Sequence, residues 1–428
     1  MRSAFVLVLA GGLLAACGGD DSERTGGPAN SQSKPTGSTP KAKPPTQLSV
    51  PALYDTSQGW ETGFAGNHFV LPRNKAIAIY KGGLVEGRFV VHDVTTGKVL
   101  WKSVQVTAEG EMDLSNFSVT VDGKEYLVIA SSGVTEDDLV SKGKEVTRLD
   151  IFDVSKGSGN SVRPTQHVEL DGVGDAEDGG AGILVTYRDS YRLPTGHVVV
   201  DPATGATETY ESSFEAPASC GPCHDGELVG LTADGPLVSA DSYSGEAAFW
   251  QVGGWASSEL LPEGAGDVVY QIDEDNLVTF WPGETGDVWA VLDSGTGEIK
   301  AEVQCPASTS ESLKEWKSVS ASGRYLGFGN VVFDLEQGNG RCFVETEEAK
   351  AVEFYSVIDD GTAFGFVGGD EEEDGTLVQV DVAGGNVQES KAAIPPQTEI
   401  DGYGIFLGND DDENARAVAT GVVYPRKK

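Results

Sequence analysis

Val91-His92-Asp93-Val94-Thr95-Thr96-Gly97-Lys98-Val99-Leu100-Trp101 reads as two short strands joined by one tight turn. Phe89, Val90 and Val91 supply the aromatic and β-branched side chains that suit a pleated, half-buried surface. Asp93 stands where its carboxylate can accept hydrogen bonds from the backbone N–H groups just ahead, which starts a turn. Gly97, four residues on, takes the positive φ that a short hairpin loop needs. Lys98 to Trp101 then runs back as the second strand.

The unit recurs along the chain. Asp153 with Gly157 follows Leu149-Asp150-Ile151-Phe152, and Asp201 with Gly205 follows Val198-Val199-Val200. Asp241 with Gly245 has a weaker strand before it. Asp293 with Gly297 follows Trp289-Ala290-Val291-Leu292, Asp334 with Gly338 follows Val331-Val332-Phe333, and Asp381 with Gly385 follows Leu377-Val378-Gln379-Val380. Successive aspartates lie 60, 48, 40, 52, 41 and 47 residues apart, a mean of 48. Each hairpin has an earlier apolar stretch, such as Tyr126-Leu127-Val128-Ile129-Ala130 or Ala363-Phe364-Gly365-Phe366-Val367. Four short strands in about 48 residues is the size of a propeller blade, so the expected fold is all-β, a β-propeller. The 56 glycines and the few long apolar periodic stretches argue against a helical bundle.

The segment Val91 to Trp101 resembles a quinoprotein-type, or PQQ-like, β-propeller repeat, and Asp201-Pro202-Ala203-Thr204-Gly205 and Asp293-Ser294-Gly295-Thr296-Gly297 are similar to it. The resemblance covers most of residues 60–392 and implies the fold; many members of the family bind no quinone. The family's tryptophan after the turn is kept at Trp101, with Trp250 a second candidate, so the blades are degenerate copies. Seven hairpins end near residue 392, and Gly404-Ile405-Phe406-Leu407 and Ala415 to Tyr424 read as two further strands. Eight four-stranded blades are favoured, the eighth closed by the N-terminal segment around Leu48 to Tyr54. In the alternative those strands complete the first blade and the count is seven. Either ring is one domain, residues 48–428, without exposed sheet edges.

The chain opens with a processing signal. Arg2 gives the positive start, and Ala4 to Ala16 is an apolar run of 13 residues, too short for a membrane span. Leu14-Ala15-Ala16-Cys17 resembles a bacterial lipobox, which implies a signal peptide over 1–16, cleavage before Cys17 and lipidation of that cysteine. Two or more acyl chains give stable anchoring. Residues 17–47 form a Ser-, Pro-, Gly-, Thr- and Lys-rich tether that cannot bury enough surface to order itself. The expected location is the extracytoplasmic face of the cell membrane, held by lipid alone.

Charge narrows the partners. The chain carries 30 Lys+Arg against 67 Asp+Glu, a net charge of −37. That excludes nucleic acid, whose phosphates call for a basic surface, and electrostatic adhesion to anionic lipid. Four cysteines remain beyond Cys17: Cys220, Cys223, Cys305 and Cys342. An even number outside the cytoplasm points to disulfides, with three connectivities open and Cys220–Cys223 with Cys305–Cys342 favoured. Cys220-Gly221-Pro222-Cys223-His224 matches the spacing of c-type haem attachment, a thioredoxin-like motif and a small structural loop. The turn-and-strand residues that follow, Asp225 to Leu231, favour the structural loop, because the thioredoxin motif needs a helix there.

No catalytic constellation emerges. H-E-x-x-H, G-x-x-x-x-G-K-[ST] and G-x-S-x-G are all absent. The five histidines, His68, His92, His167, His197 and His224, are scattered, and Met112 is the one thioether of the mature chain. The resemblance implies that a quinone enzyme would need a calcium site, an aromatic platform and, in several alcohol-oxidising members, adjacent cysteines, which this chain lacks. The acidic runs Asp273-Glu274-Asp275-Asn276, Asp370 to Asp374 and Asn409 to Asn414 present hard oxygen ligands, but none has the spacing of a dedicated Ca²⁺ loop. No cofactor is expected, beyond weak Ca²⁺ binding. Trp60, Trp255, Trp281 and Trp316 are the loop aromatics to inspect for carbohydrate or protein contacts. The expected function is a monomeric binding or scaffold module for an envelope protein or cell-wall ligand. The alternative is an enzyme: a quinone- or haem-dependent oxidoreductase, or a polysaccharide-acting propeller.

Overall fold

Side chains alternate sides along the run Ala76-Ile77-Ala78-Ile79-Tyr80, yet all five are buried. A strand apolar on both faces must lie between two packed layers. Ala76, Ala78 and Tyr80 pack with Phe89, Trp101 and Phe152 on one side. Ile77 and Ile79 pack with Ile400, Ile405 and Val423 on the other. This is the packing of propeller blades around a ring.

The computed structural model describes residues 46–64, 67–136, 142–219, 225–240, 248–261, 268–283, 285–306, 316–368, 375–408 and 420–428. They belong to the unit Pro44–Lys428. The calls on the signal peptide, Cys17 and most of the tether lie outside these residues, as do those on Cys220, Cys223, Asp241, Gly245 and two of the acidic runs.

The strands follow one another as antiparallel meanders. Blade 1 comprises His68–Leu71, Ala76–Gly82, Glu86–Asp93 and Val99–Ser103, from innermost to outermost. Further meanders span 111–171, 174–210, 227–251, 268–304, 317–342 and 353–389, numbered blades 2 to 7; blade 4 shows three strands among the described residues. Blade 8 holds Thr398–Ile400, Tyr403–Gly408 and Thr420–Pro425, and its outer strand is Trp60–Phe64, antiparallel to Thr420–Pro425. The closing strand is therefore Trp60–Phe64, and the segment around Leu48 to Tyr54 contributes to that edge through the antiparallel bridge of Tyr54 with Arg426. Pro51 has no N–H to give a ladder, and the chain turns there, with the Tyr54 N–H donating to the Pro51 carbonyl at 3.1 Å. Leu48, Val50 and Leu53 instead lie over Phe406 and Tyr424.

The turn aspartates share one local design. Asp93 Oδ1 accepts from Thr95 N at 3.1 Å and Thr96 N at 2.8 Å, and Gly97 N donates to the Asp93 carbonyl at 2.9 Å. Asp201 and Asp293 repeat this, with Gly205 and Gly297 donating to the aspartate carbonyls at 2.8 Å. Asp381 does so with Gly385 at 2.7 Å, and Asp334 accepts from Glu336 N and Gln337 N before Gly338. Gly97, Gly205, Gly297, Gly338 and Gly385 all have φ between 67° and 73°.

Asp153 departs from the pattern. Its carboxylate accepts from Ser155 N at 3.0 Å, but Val154–Lys156 forms a 3-10 turn and Gly157 has φ −68°. The Gly157 N–H bonds the Val154 carbonyl rather than closing on Asp153. No hairpin forms; Gly159–Val162 leaves blade 2 and pairs parallel with Val99–Ser103 of blade 1. The outer strand of blade 2 is Gln166–Asp171.

Five of the turns are gripped by the preceding blade. Trp60 Nε1 donates to the Val94 carbonyl at 2.8 Å, and its ring lies where a Cβ on Gly97 would stand. Trp101 lies against Gly157 in the same way. Trp255 Nε1 donates to the Ser294 carbonyl at 3.2 Å over Gly297. Gln166 Nε2 serves the Ala203 carbonyl and Arg341 Nε the Val382 carbonyl, both at 2.8 Å. Trp60 and Trp255 thus bind turns. Trp250 is buried beside Val238 and Ala256, and its ring lies against Gly226.

Cys305 and Cys342 are bonded, with Cα atoms 5.5 Å apart. They join the ends of the outer strands of blades 5 and 6, which also meet through the parallel pair Glu302 and Asn339.

Candidate functional site: the central channel

The innermost strands of the blades surround the ring's centre, and their connecting turns set its floor. Between Gln271 and Asn276 the blade 5 turn sends Glu274 to blades 1 and 2. Arg73 Nη2 donates to Glu274 Oε1 at 2.9 Å, and Gly123 N donates to the same oxygen at 3.1 Å. Blades 1 and 5 are four positions apart in sequence order, so this contact is a strap from one side of the ring to another. Glu125 adds to it, accepting from Arg73 N, Asn74 N and Asn74 Nδ2. Burial raises the Glu274 carboxyl above its ordinary value. Removing Arg73 would leave a buried carboxylate with one donor group fewer, at a cost of about 1–3 kcal/mol. Arg73→Ala should therefore speed amide hydrogen exchange at Gly123; unchanged exchange there would mean that the strap bears no load.

Two lobes lie within the channel, and Lys317 borders both. The first, of ≈ 460 Å³, lies among blades 1, 6, 7 and 8, with Trp316, Tyr355, Gln397 and Thr398 in its wall. Trp316 meets Tyr355 edge-on, ring centroids 5.5 Å apart. The second, of ≈ 330 Å³, lies among blades 3 to 6, with Glu177, Asp178 and Gln271 in its wall. Lys317 Nζ donates to the Gln271 carbonyl at 3.1 Å. Asp178 is open to channel water yet walled in by protein, and this burial pushes its carboxyl up to about 6, against the pull of the Gly180 N–H and Lys317. Burial raises Glu177 as well.

The aromatics singled out in the sequence separate cleanly. Trp60 and Trp255 grip turns, and Trp281 is buried with Leu237, Phe249 and Leu277. Trp316 is 41% exposed, the most open of the seven tryptophans, and it faces the channel. Tyr355, Gln397, Asp178 and Lys317 attracted no attention in the sequence. They come from separate blades, and only a register for each innermost strand would have brought them together.

The remaining candidates lie elsewhere. Asp273 spends its carboxylate on Asp275 N and Asn276 Nδ2. Among the described residues no three His, Cys, Asp or Glu side chains gather as a metal-binding set. His92 is held between blades 8 and 1, and His197 is buried within blade 3. His92 stacks on Trp60 at 5.5 Å, and its Nδ1 bonds the Gly97 carbonyl; His197 Nδ1 meets Thr186 Oγ1 at 3.1 Å. Neither Nε2 has a partner.

Burial lowers the pKa of both imidazoles below the ordinary 6.5. The unfolded chain therefore takes up protons near pH 6.5 while the folded protein resists them. Their contribution to stability is full above pH 6.5 and is lost as the pH falls below it. Asp178 works the other way, since its raised pKa favours the fold below about pH 4 and loses that advantage as pH rises through 6. Melting temperature should fall from pH 7.5 to 5.5, and the slope should flatten in the His92→Gln/His197→Gln variant. An equally steep slope would clear the two histidines.

No family model matches the chain, and no curated protein matches its sequence. Solved structures do resemble it at low identity. The β-propeller domain of Myceliophteria thermophila Cps50 (Swd1) is 11% identical, with TM-score 0.38, over 87% of this chain and 99% of that one. The uncharacterized protein lmo1340 of Listeria monocytogenes is 9% identical, with TM-score 0.44, over 82% and 91%. Hsv2 of Kluyvelomyces marxianus is 12% identical, with TM-score 0.35, over 82% and 94%. The strand pairing described above, rather than these distant likenesses, carries the β-propeller assignment.

Proposed function

We propose that this chain is a lipid-anchored, extracytoplasmic binding module, and that its eight-bladed ring receives a cell-envelope ligand in the central channel. The observation that carries this reading is Trp316. A large aromatic side chain left 41% exposed in the wall of a concave cavity is a feature of binding sites. The closed ring is stiff and holds groups from different blades at fixed distances, which lowers the ordering cost of binding. Cys17 supplies the anchor and residues 18–47 the reach, on the order of 30 Å for a flexible tether.

Hydroxyl-radical footprinting of the anchored protein, with and without solubilised envelope extract, tests the channel. Protection of Trp316 and Tyr355 is the expected result. Protection confined to the outer turns, with Trp316 unchanged, would replace the channel by a rim as the binding surface. An intact mass carrying lipid at Cys17 is expected from the same preparation.

A further inference from the structure

We propose that the lobe among blades 1, 6, 7 and 8 is a subsite for a neutral pyranose sugar, a reading that rests on the channel as the binding site. The lobe's chemistry selects the class by elimination. Among the described residues of its wall Lys317 is the one charged residue, and its Nζ already donates to the Gln271 carbonyl. Among the described residues no carboxylate lines this lobe to receive a cation. An anion would find a single cation in a protein of net charge −37. A purely apolar ligand would strip water from Gln397, Thr398 and Lys317 and return nothing.

Two features call for a ligand that is apolar on one face and rich in hydroxyls at its edge. The indole of Trp316 offers a flat surface for the C–H face of a sugar ring, with Tyr355 set edge-on beside it. The Gln397 amide borders the same cavity, and its Oε1 is buried with no hydrogen-bond partner. A buried acceptor left unpaired is costly, and a turn of the amide toward the cavity would let a ligand hydroxyl satisfy it. The Thr398 side chain adds a group able to donate or accept. A cavity of ≈ 460 Å³ is within the range of small-ligand pockets and suits one or two sugar rings.

Titration of the full chain with cellobiose and with N,N′-diacetylchitobiose, followed by tryptophan emission and isothermal calorimetry, tests the proposal. Saturable binding of at least one disaccharide is expected. Trp316→Ala should weaken it by more than about tenfold. Gln397→Leu should weaken it by about tenfold, with a melting temperature equal to or above that of the parent, because the substitution removes an unsatisfied acceptor. No binding of either sugar, or binding that both variants leave intact, would overturn the proposal. If the sugars fail while envelope extract still protects Trp316, the ligand class falls and the channel stands; if that protection is absent too, both fall.

Discussion

Gly97→Ala should destabilise the propeller by roughly 2–4 kcal/mol, the sum of a backbone and a packing penalty. Gly97 sits at φ +69°, a conformation that costs an L-residue roughly 1–2 kcal/mol. The added methyl would stand 2.6 Å from the Trp60 ring. That ring cannot simply withdraw, because its Nε1 donates to the Val94 carbonyl at 2.8 Å and Trp60 belongs to the strand that closes the ring. Gly253→Ala is the matched control: φ is +79°, but the space around it is open. It should pay the backbone term alone. Urea unfolding of both variants decides the matter, and equal losses would show that the Trp60 seat exerts no constraint.

Converting Cys305 and Cys342 together to serine should cost roughly 3–4 kcal/mol, the chain-entropy value for a bridge between residues this far apart. The bond spans 37 positions and ties blade 5 to blade 6 beyond their single parallel pair. Thermal unfolding of the double variant should match that of the reduced parent protein. Hydrogen exchange should quicken first at Glu302 and Asn339, where the two outer strands meet. A loss below about 1 kcal/mol would mean that the sheet contacts alone fix this interface.

The turns were legible because a hairpin's chemistry is local. An aspartate that accepts from the next backbone N–H groups and a glycine four residues on are enough to mark Asp93, Asp201, Asp293, Asp334 and Asp381. Asp153 carries the same letters, but Gly157 keeps a negative φ and the chain runs on to another blade. Closure was harder to read. Leu48 to Tyr54 is as apolar as Trp60 to Phe64, and only the backbone cost of Pro51 separates them. The roles of Trp60 and Trp255 were hidden because the glycines they cover stand 37 and 42 residues downstream. The channel was the least legible of all. Trp316, Tyr355 and Gln397 come from three blades, and no periodicity within any one strand announces that they meet.

The grip between neighbouring blades is a side chain reaching for a carbonyl of the next turn, whether by indole, amide or guanidinium. Every residue has a carbonyl, so the receiving turn need not conserve any side chain to be held. A lineage can therefore exchange one plug for another, blade by blade, while the socket stays the same. Such a ring can keep its architecture long after its sequence has drifted past recognition.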